Sequence, residues 1–267
     1  MFFIIFFLLG CIWGSFSNVC IHRIPLNKSV IFSRSLCPNC KKTIKWFNNI
    51  PLISYLLLKA KCRDCNNKIS FEYFIVEITS AISFTIVYYF YGISITSLLL
   101  LILIIFFIII FFIDFHHYII PNELTYPLMI IGFVKSFDPN INSFLFPNYI
   151  NSLIGGIFGY LLIWSIITFY NSVSKLNRKH NFFKNIFRKK EGMGLGDAKL
   201  LSAIGFWFGW ASIPFILFFS SIIALISALP SLIKKTKNFS SQIPFGPYII
   251  LATILFFVLK QKSILLL

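Results

Sequence analysis

The sequence predicts an all-α polytopic membrane protein with about eight transmembrane helices and a small extramembrane domain between the first two. Two observations lead to this prediction. Hydrophobic residues make up 58% of the 267 residues, charged residues make up 12%, and the mean hydropathy is +0.84, whereas a soluble domain is nearer half apolar and a quarter charged. The basic residues are also concentrated in a few loops between apolar runs, as in chains that cross a bilayer several times.

The positions of the basic residues decide what the net charge of +16 means. Of the 24 Lys and Arg residues, twenty lie in three loops, at 22–73, 171–190 and 230–240. This clustering in alternate loops follows the positive-inside rule and predicts that the three loops face the cytoplasm. No nucleic-acid partner is expected, and the lipid bilayer is the surface that these charges meet.

Eight apolar segments account for the predicted spans, and an even number places both chain termini outside. Because Met1–Leu9 contains no Lys or Arg, the first segment is predicted to be an uncleaved helix rather than a secretory signal. Lipidation of Cys11 is the less favoured alternative. The segments lie at about 2–20, 74–90, 97–113, 124–134, 149–170, 192–208, 211–229 and from 243–248 to 259.

The one sizeable extramembrane unit, residues 26–72, contains two CxxC motifs. Cys37-Pro38-Asn39-Cys40 and Cys62-Arg63-Asp64-Cys65 are separated by 21 residues, a spacing at the edge of the range for four-cysteine zinc sites. About fifty polar residues cannot form a core of their own, and thiolate ligation of a metal can stabilise them. Since the cytoplasm is reducing, a zinc ion is favoured over two disulfides. Four thiolates leave no open position, so the zinc is expected to be structural, whereas Cys11 and Cys20 are expected to be buried apolar residues.

Two aspartates stand out among the eight acidic residues of the chain. Asp197 belongs to the stretch Gly192–Lys199, which joins a cationic loop to an apolar run, and Asp114 follows sixteen uncharged residues at 98–113. An acid inside a membrane segment costs about 3 kcal/mol at a helix centre and is usually functional. For Asp197 alone, a helix cap would be an equally good explanation. Two such carboxylates predict a water-activating pair in which one is ionised and the other protonated.

Other polar or small residues in the apolar segments have less specific interpretations. Glu77 lies a turn inside the second segment and is expected either to be functional or to pair with a basic residue. His22 is interpreted as an interfacial histidine rather than a ligand. Two sets of small residues predict faces for close helix packing: Gly14, Ser15 and Ser17 in the first segment, and Gly155, Gly156 and Gly159 in the fifth.

Taken together, these motifs resemble the type IV prepilin leader peptidases, which are membrane aspartyl proteases of the GxGD type. The resemblance covers nearly the whole chain, and the ordered set is far more specific than a lone GxGD. The motifs are Gly14-Ser15-Phe16 with Asn18-Val19 and His22-Arg23, the paired CxxC, Asn49-Ile50-Pro51 followed by Ser54, Asp114 with Pro121, Gly192–Lys199, and Pro244-Phe245-Gly246-Pro247.

The resemblance implies an aspartic endopeptidase of the bacterial cytoplasmic (inner) membrane that cleaves the leader of prepilins or pseudopilins on the cytoplasmic side. By position, Asp114 and Asp197 are the implied catalytic pair, which would activate a water to attack the scissile carbonyl after a Gly. Many members also methylate the new N-terminal residue with S-adenosylmethionine, and the zinc knuckles accompany those members. Methylation is therefore implied, although no glycine-rich loop for adenosylmethionine is visible and no residue is assigned to that cofactor.

The implied organisation has three parts, within an all-α fold of about eight transmembrane helices. Residues 1–25 form the first transmembrane helix. Residues 26–72 form a cytoplasmic zinc-knuckle domain associated with methyl transfer. Residues 73–267 form the transmembrane aspartyl peptidase domain.

The sequence departs from the family pattern at two positions. Many relatives have further acids two residues after the first aspartate and just after the proline, where this chain has His116 and Asn122. This leaves Glu123 as the one other acid of the turn. His116 and His117 could tune the aspartate pair, but an interfacial placement is favoured.

Two other classes of protein remain open at this point. A proton-coupled transporter also uses intramembrane acids, but it would need neither a zinc knuckle nor a GxGD motif at a cytoplasmic boundary. A presenilin-like protease of other single-span substrates shares the GxGD motif but cleaves deeper in the membrane and without methylation. Neighbouring genes for a secretion ATPase or pilin-like proteins would favour the prepilin interpretation.

Overall fold

The computed structural model describes residues 2–30, 35–138, 141, 146–177, 194–233 and 243–265. In these ranges the protein is helical, and its only β pairing consists of two isolated bridges, Leu36 with Thr43 and Lys61 with Lys68. The prediction of an all-α polytopic membrane protein is confirmed. The helices are α1 (Phe2–Arg23), α2 (Ile53–Leu57), α3 (Phe71–Tyr91), α4 (Ile95–His117), α5 (Asn122–Val134), α6 (Tyr149–Asn177), α7 (Leu195–Phe208), α8 (Ser212–Ile233) and α9 (Gly246–Leu265).

Each of the eight predicted segments coincides with one of these helices, and α2 is an addition within the loop. Among the described residues, α1, α3, α4, α6 and α8 are long and apolar enough to cross a membrane, and α9 supplies a shorter apolar helix, Gly246–Gln261. The helices α5 and α7 have 13 and 14 residues, fewer than the roughly 20 that span a hydrocarbon core.

The chain forms two compact units, residues 1–113 and 114–267. In the first unit, α1 packs closely against α3 because glycines remove side chains from the contact. A Cβ at Gly10 would lie 2.6 Å from the Cα of Ala81, and one at Gly14 would lie 2.7 Å from the Cα of Glu77. The expected packing face around Gly14 is confirmed. The side-chain amide of Asn18 also donates to the carbonyl of Tyr73 (3.1 Å).

The second unit is built around α7, since ten of its fourteen residues are buried. Its backbone touches that of α6, where a Cβ at Gly205 would collide with the carbonyl oxygen of Gly155. A Cβ at Gly156 or Gly159 would likewise clash with α7, at Phe206 and Leu201. The predicted glycine face of the fifth segment is therefore confirmed, and through it α6 packs closely against α7.

The far end of α7 is capped by a lysine. The Nζ of Lys135, just after α5, donates to the carbonyl of Trp207 at 3.0 Å and lies 3.9 Å from the ring centroid of Phe146. The indole of Trp207 donates to the carbonyl of Leu128 (2.8 Å). A cation at the carboxyl end of a helix satisfies carbonyls that have no partner within the helix.

Some sequence predictions lie outside the described residues. These are Gly192 and Met193 of the glycine-rich motif, Arg34 of the first basic loop, most of the second basic loop at 178–190, and the basic residues at 234–240.

Candidate active site: two buried aspartates

Asp114 lies in the last turn of α4, and its side chain is buried, with 4% exposed. Its Oδ2 accepts a hydrogen bond from the backbone N–H of Gly246 at 2.9 Å. Gly246 is the first residue of α9, so this N–H is one of the amides that have no partner within their own helix. The positive end of the helix dipole also favours a carboxylate at this point.

Asp197 is the third residue of α7, and its side chain is 8% exposed. Its Oδ2 accepts a hydrogen bond from the N–H of Gly194 at 3.1 Å. Asp197 thus caps the start of α7, as in the helix-cap explanation considered from the sequence. Capping does not exclude that role, because a carboxylate in this position keeps a second oxygen atom.

The two aspartates belong to the same compact unit, residues 114–267. The side chain of Ile120 lies between their motifs. A Cβ at Gly196, next to Asp197, would lie 3.1 Å from the Cβ of Ile120, and a Cβ at Gly246 would lie 3.1 Å from its Cδ1. Three separate segments of the chain thus meet at one side chain, with Asp114 hydrogen-bonded to Gly246 at the start of α9.

The turn from α4 to α5 sets this geometry. Tyr118 has a left-handed backbone (φ 58°) and its N–H donates to the carbonyl of Asp114 (3.0 Å), which ends α4. Pro121 then precedes the first residue of α5, Asn122. The Nζ of Lys199 donates to Oδ1 of Asn122 at 2.6 Å and ties the starts of α7 and α5 together.

The two histidines of the turn differ from Asp114 in their surroundings. His116 and His117 are exposed, whereas Asp114 is buried. This arrangement agrees with the interfacial interpretation of the histidines.

Two carboxylates that sense each other's charge cannot both ionise readily in a buried setting. A pair of this kind holds one proton between two acids and can therefore take a proton at one and give a proton at the other. A carboxylate pair of this kind has the chemistry that acid–base catalysis requires.

The four loop cysteines form a second candidate site, in the first unit. The sulfur atoms of Cys37, Cys40, Cys62 and Cys65 all lie within 4.8 Å of one another, and those of Cys37 and Cys65 are 3.8 Å apart. Sulfurs of a tetrahedral zinc site, with Zn–S bonds of about 2.3 Å, are about 3.8 Å apart. All six cysteines are free thiols.

The two knuckles that supply the thiols have the same construction. In each, the N–H of the first cysteine donates to the carbonyl five residues further on: Cys37 to Lys42 (3.0 Å) and Cys62 to Asn67 (2.8 Å). This donor set fits a zinc-binding loop between α1 and α3.

Sequence reasoning missed the groups that hold the acids in place. The donors to Asp114 and Asp197 are the main-chain amides of Gly246 and Gly194. The motif Pro244–Pro247 is part of the resemblance, but nothing in its residue types indicates a partner for Asp114. Glu77 likewise has a backbone partner, because its Oε2 accepts from the N–H of Leu52 at 2.7 Å.

The fold is that of a polytopic membrane protein with two buried aspartates in its second unit. Two family profiles match the chain: the bacterial peptidase A24 N-terminal domain at residues 8–91 and the type IV leader peptidase family at residues 101–229. The chain belongs to the type IV leader peptidase family.

Curated relatives cover nearly the whole chain. A protein of Vibrio cholerae serotype O1 named prepilin leader peptidase/N-methyltransferase is 35% identical over 263 residues, which are 95% of each chain. Proteins of the same name from Pseudomonas aeruginosa and Neisseria gonorrhoeae are 30% identical, covering 92% and 90% of this chain and 86% and 84% of the relatives. No solved structure matches the chain.

Proposed function

We propose that the protein cleaves the leader peptide of type IV prepilins or pseudopilins, with Asp114 and Asp197 as its catalytic residues. The observation that supports this proposal most directly is the buried pair, in which each carboxylate accepts a hydrogen bond from a main-chain amide and the two motifs meet at the side chain of Ile120. Both residues fall within the region that matches the leader peptidase family. The names of the relatives supply the substrate class.

The proposed reaction is hydrolysis of one peptide bond by an activated water. The ionised carboxylate takes a proton from the water while the oxygen of the water bonds to the scissile carbonyl carbon. The protonated carboxyl gives its proton to the leaving nitrogen as the carbon–nitrogen bond breaks. The products are the leader peptide, which ends in a new carboxyl group, and the mature pilin, which begins with a new amino group.

The test is incubation of the purified protein with a prepilin-like peptide, followed by mass measurement of the products. Asp114→Asn and Asp197→Asn each remove an ionisable group at nearly constant volume. We expect each to abolish cleavage and the double variant to lose little more, because the pair acts as a unit. Normal cleavage by either single variant would rule out the two-aspartate mechanism.

Glu123→Gln and Asp138→Asn are the matched controls. Glu123 lies beyond the α4–α5 turn, in the first turn of α5, and Asp138 follows the far end of that helix. Both variants remove one acid from the same unit, and we expect both to cleave normally. A loss in either control equal to that of the aspartate variants would show that the assay reports general damage.

A structural zinc bound by Cys37, Cys40, Cys62 and Cys65 is the second part of the proposal. Four thiolates would close its coordination shell, so the metal would stabilise the domain at 26–72 and take no part in hydrolysis. The peptidase chemistry belongs to the domain at 73–267.

N-methylation of the new amino terminus is the third part, with S-adenosylmethionine supplying the methyl group. It is supported by the names of the relatives and by the match to the N-terminal family domain. Methylation of an already processed peptide should survive Asp114→Asn and Asp197→Asn if it uses the separate N-terminal part of the chain. Parallel loss of methylation in these variants would place both reactions at the same residues.

The active site is proposed to face the cytoplasm from the bacterial inner membrane. The support is the concentration of twenty of 24 basic residues in three loops. A cysteine probe at position 140 should react with an impermeant reagent added outside, and a probe at 181 should not. The reverse labelling would invert the orientation.

Neither alternative class gains support. The relatives carry the peptidase and methyltransferase name over most of their length, which favours neither a transporter nor an intramembrane protease without methylation.

A further inference from the structure

We infer that α2 and the turn before it form a membrane-embedded interfacial element whose outer face lies among lipids, at the boundary of headgroups and acyl chains. Four features of the first unit lead to this inference. They are the register of α2 along α3, the outer face of α2, the hydrogen bonds of the turn, and the residues at its ends.

The register of α2 against α3 gives its depth. The N–H of Leu52, just before α2, donates to Glu77, which lies six residues inside α3, or about 9 Å along the helix axis. The ring of Tyr55 lies 5.4 Å from that of Phe74 and 6.4 Å from that of Phe71. The short helix therefore runs beside the first two turns of a helix that is long and apolar enough to span the membrane.

The face of α2 that points away from α3 is apolar. Ile53, Leu56 and Leu57 are spaced at i, i+3 and i+4, so they form one stripe, and they are 52%, 65% and 77% exposed. By contrast, Ser54 is buried and Tyr55 packs on α3. A stripe of exposed leucine and isoleucine at this depth fits acyl chains better than water.

The hydrogen bonds of the irregular turn agree with a site away from water. From Asn48 to Ser54, every backbone N–H has an acceptor within the protein. The acceptors are, in order, Lys45 O, Trp46 O, Ser54 Oγ, Glu77 Oε2, Pro51 O and Ile50 O, with Pro51 itself having no N–H. A loop in water leaves such groups to solvent, whereas irregular backbone at membrane depth must satisfy them internally. This gives buried Glu77 a role as the acceptor for Leu52.

The two ends of the segment carry the residues expected at a membrane surface. Trp46, which is 81% exposed, and Lys45 precede it, and Lys59 follows it. Tryptophan and lysine are favoured at the level of the headgroups. Between residues 35 and 69 the chain has seven basic residues and one acidic residue, a balance that complements anionic lipid.

The test uses the full chain in nanodiscs of phosphatidylglycerol and phosphatidylethanolamine. Leu57→p-benzoylphenylalanine places a photoreactive group on the outer face of α2, and mass spectrometry after irradiation detects lipid adducts. Two residues whose exposed fractions match each other serve as references: Ile86 within α3 (50%) and Leu36 in the first knuckle (51%). We expect the adduct yield at 57 to approach that at 86 and to exceed that at 36 severalfold.

A yield at 57 equal to that at 36 would overturn the inference, and so would a crosslink from 57 to a second copy of the chain or to added prepilin. The role of Glu77 is tested in the same assay. Glu77→Gln keeps an oxygen acceptor for Leu52 and should leave the yield at 57 unchanged, whereas Glu77→Ala should lower it severalfold. An unchanged yield in Glu77→Ala would contradict the anchoring role.

Discussion

Glu77 of the first unit and Asp114 of the second unit share most of their local features. Each is a buried acid on an apolar helix, with 8% and 4% exposed, and each accepts a backbone N–H, at 2.7 Å and 2.9 Å. The difference lies in their neighbours. Glu77 accepts from the amide of Leu52, whereas Asp114 shares its compact unit with a second buried carboxylate, Asp197.

This comparison separates two uses of an intramembrane acid. An acid that faces a backbone amide serves as a hydrogen-bond acceptor, and we expect that an amide side chain can replace it. Two neighbouring buried acids have a proton to share, and under the proposed mechanism an amide should not replace either of them. Burial and position in an apolar helix, which are common to both residues, do not distinguish the two cases.

The largest expected effect concerns metal and is confined to the first unit. Cys37→Ser removes one of four thiolates, and structural zinc contributes on the order of 10 kcal/mol to small metal domains. We expect loss of stoichiometric zinc and much faster proteolysis of residues 26–72, with prepilin cleavage retained. Metal analysis, limited proteolysis and the peptide assay measure these three quantities. Full zinc content in Cys37→Ser would show that the thiols are not the ligands, and Cys11→Ser is the matched control.

The next effect concerns the donors of the second unit. A Cβ at Gly246 would lie 2.7 Å from Oδ2 of Asp114, whereas one at Gly194 would lie 3.8 Å from Oδ2 of Asp197, an ordinary contact. Gly246→Ala should therefore displace its aspartate and lower kcat/KM by about a hundredfold, the size typical of a misplaced acid–base group. Gly194→Ala keeps its N–H and should stay within about threefold, since it removes no interaction. Equal losses in the two variants would contradict the geometry.

A smaller effect concerns the contribution of Glu77 to the stability of the fold. Glu77→Ala leaves the N–H of Leu52 without its acceptor, which costs about 1–3 kcal/mol in a buried site. Glu77→Gln keeps an acceptor and should cost less than half as much. Thermal unfolding in detergent measures both. A larger loss in Glu77→Gln than in Glu77→Ala would mean that the charge itself is needed.

The smallest effect concerns the exposed pair between α7 and α5. Asn122→Asp would turn the hydrogen bond from Lys199 into an ion pair, which at an exposed site is worth about 0–1 kcal/mol. We expect a slight rise in thermal stability at low salt that disappears at high salt, and cleavage within about twofold of wild type. Asn122→Ala, which removes the acceptor, is the opposite control. A change in cleavage beyond about tenfold in Asn122→Asp would show that this position acts on the aspartate pair.

Much of the fold could be predicted because the signals are compositional. Apolar runs and basic loops located the eight helices, and the two CxxC motifs located the four clustered thiols. The glycines at 155, 156 and 159 predicted a packing face because small side chains in membrane helices mark close contacts. Each of these signals is carried by side chains that are unusual for their positions.

The rest involves backbone groups and registers, which side-chain types do not encode. Any residue other than proline could offer the N–H that Gly246 gives to Asp114. The match of Leu52 with Glu77 depends on how a turn folds back along α3, and the long stretch of chain between them leaves that register open. The sequence also does not predict the burial of Lys135, because a lysine after an apolar segment is normally exposed to water.

The use of main-chain N–H groups to hold both aspartates has a consequence for how the site tolerates genetic variation. Most amino-acid substitutions keep a donor of this kind, because every residue except proline has a backbone N–H. At position 194 a mutational scan should therefore accept many substitutions and reject proline, which alone lacks the hydrogen. At position 246 the added atoms collide with Asp114, so the same scan should reject nearly every replacement. Two glycines with the same hydrogen-bonding task would thus differ sharply in the variation that a bacterial population can carry.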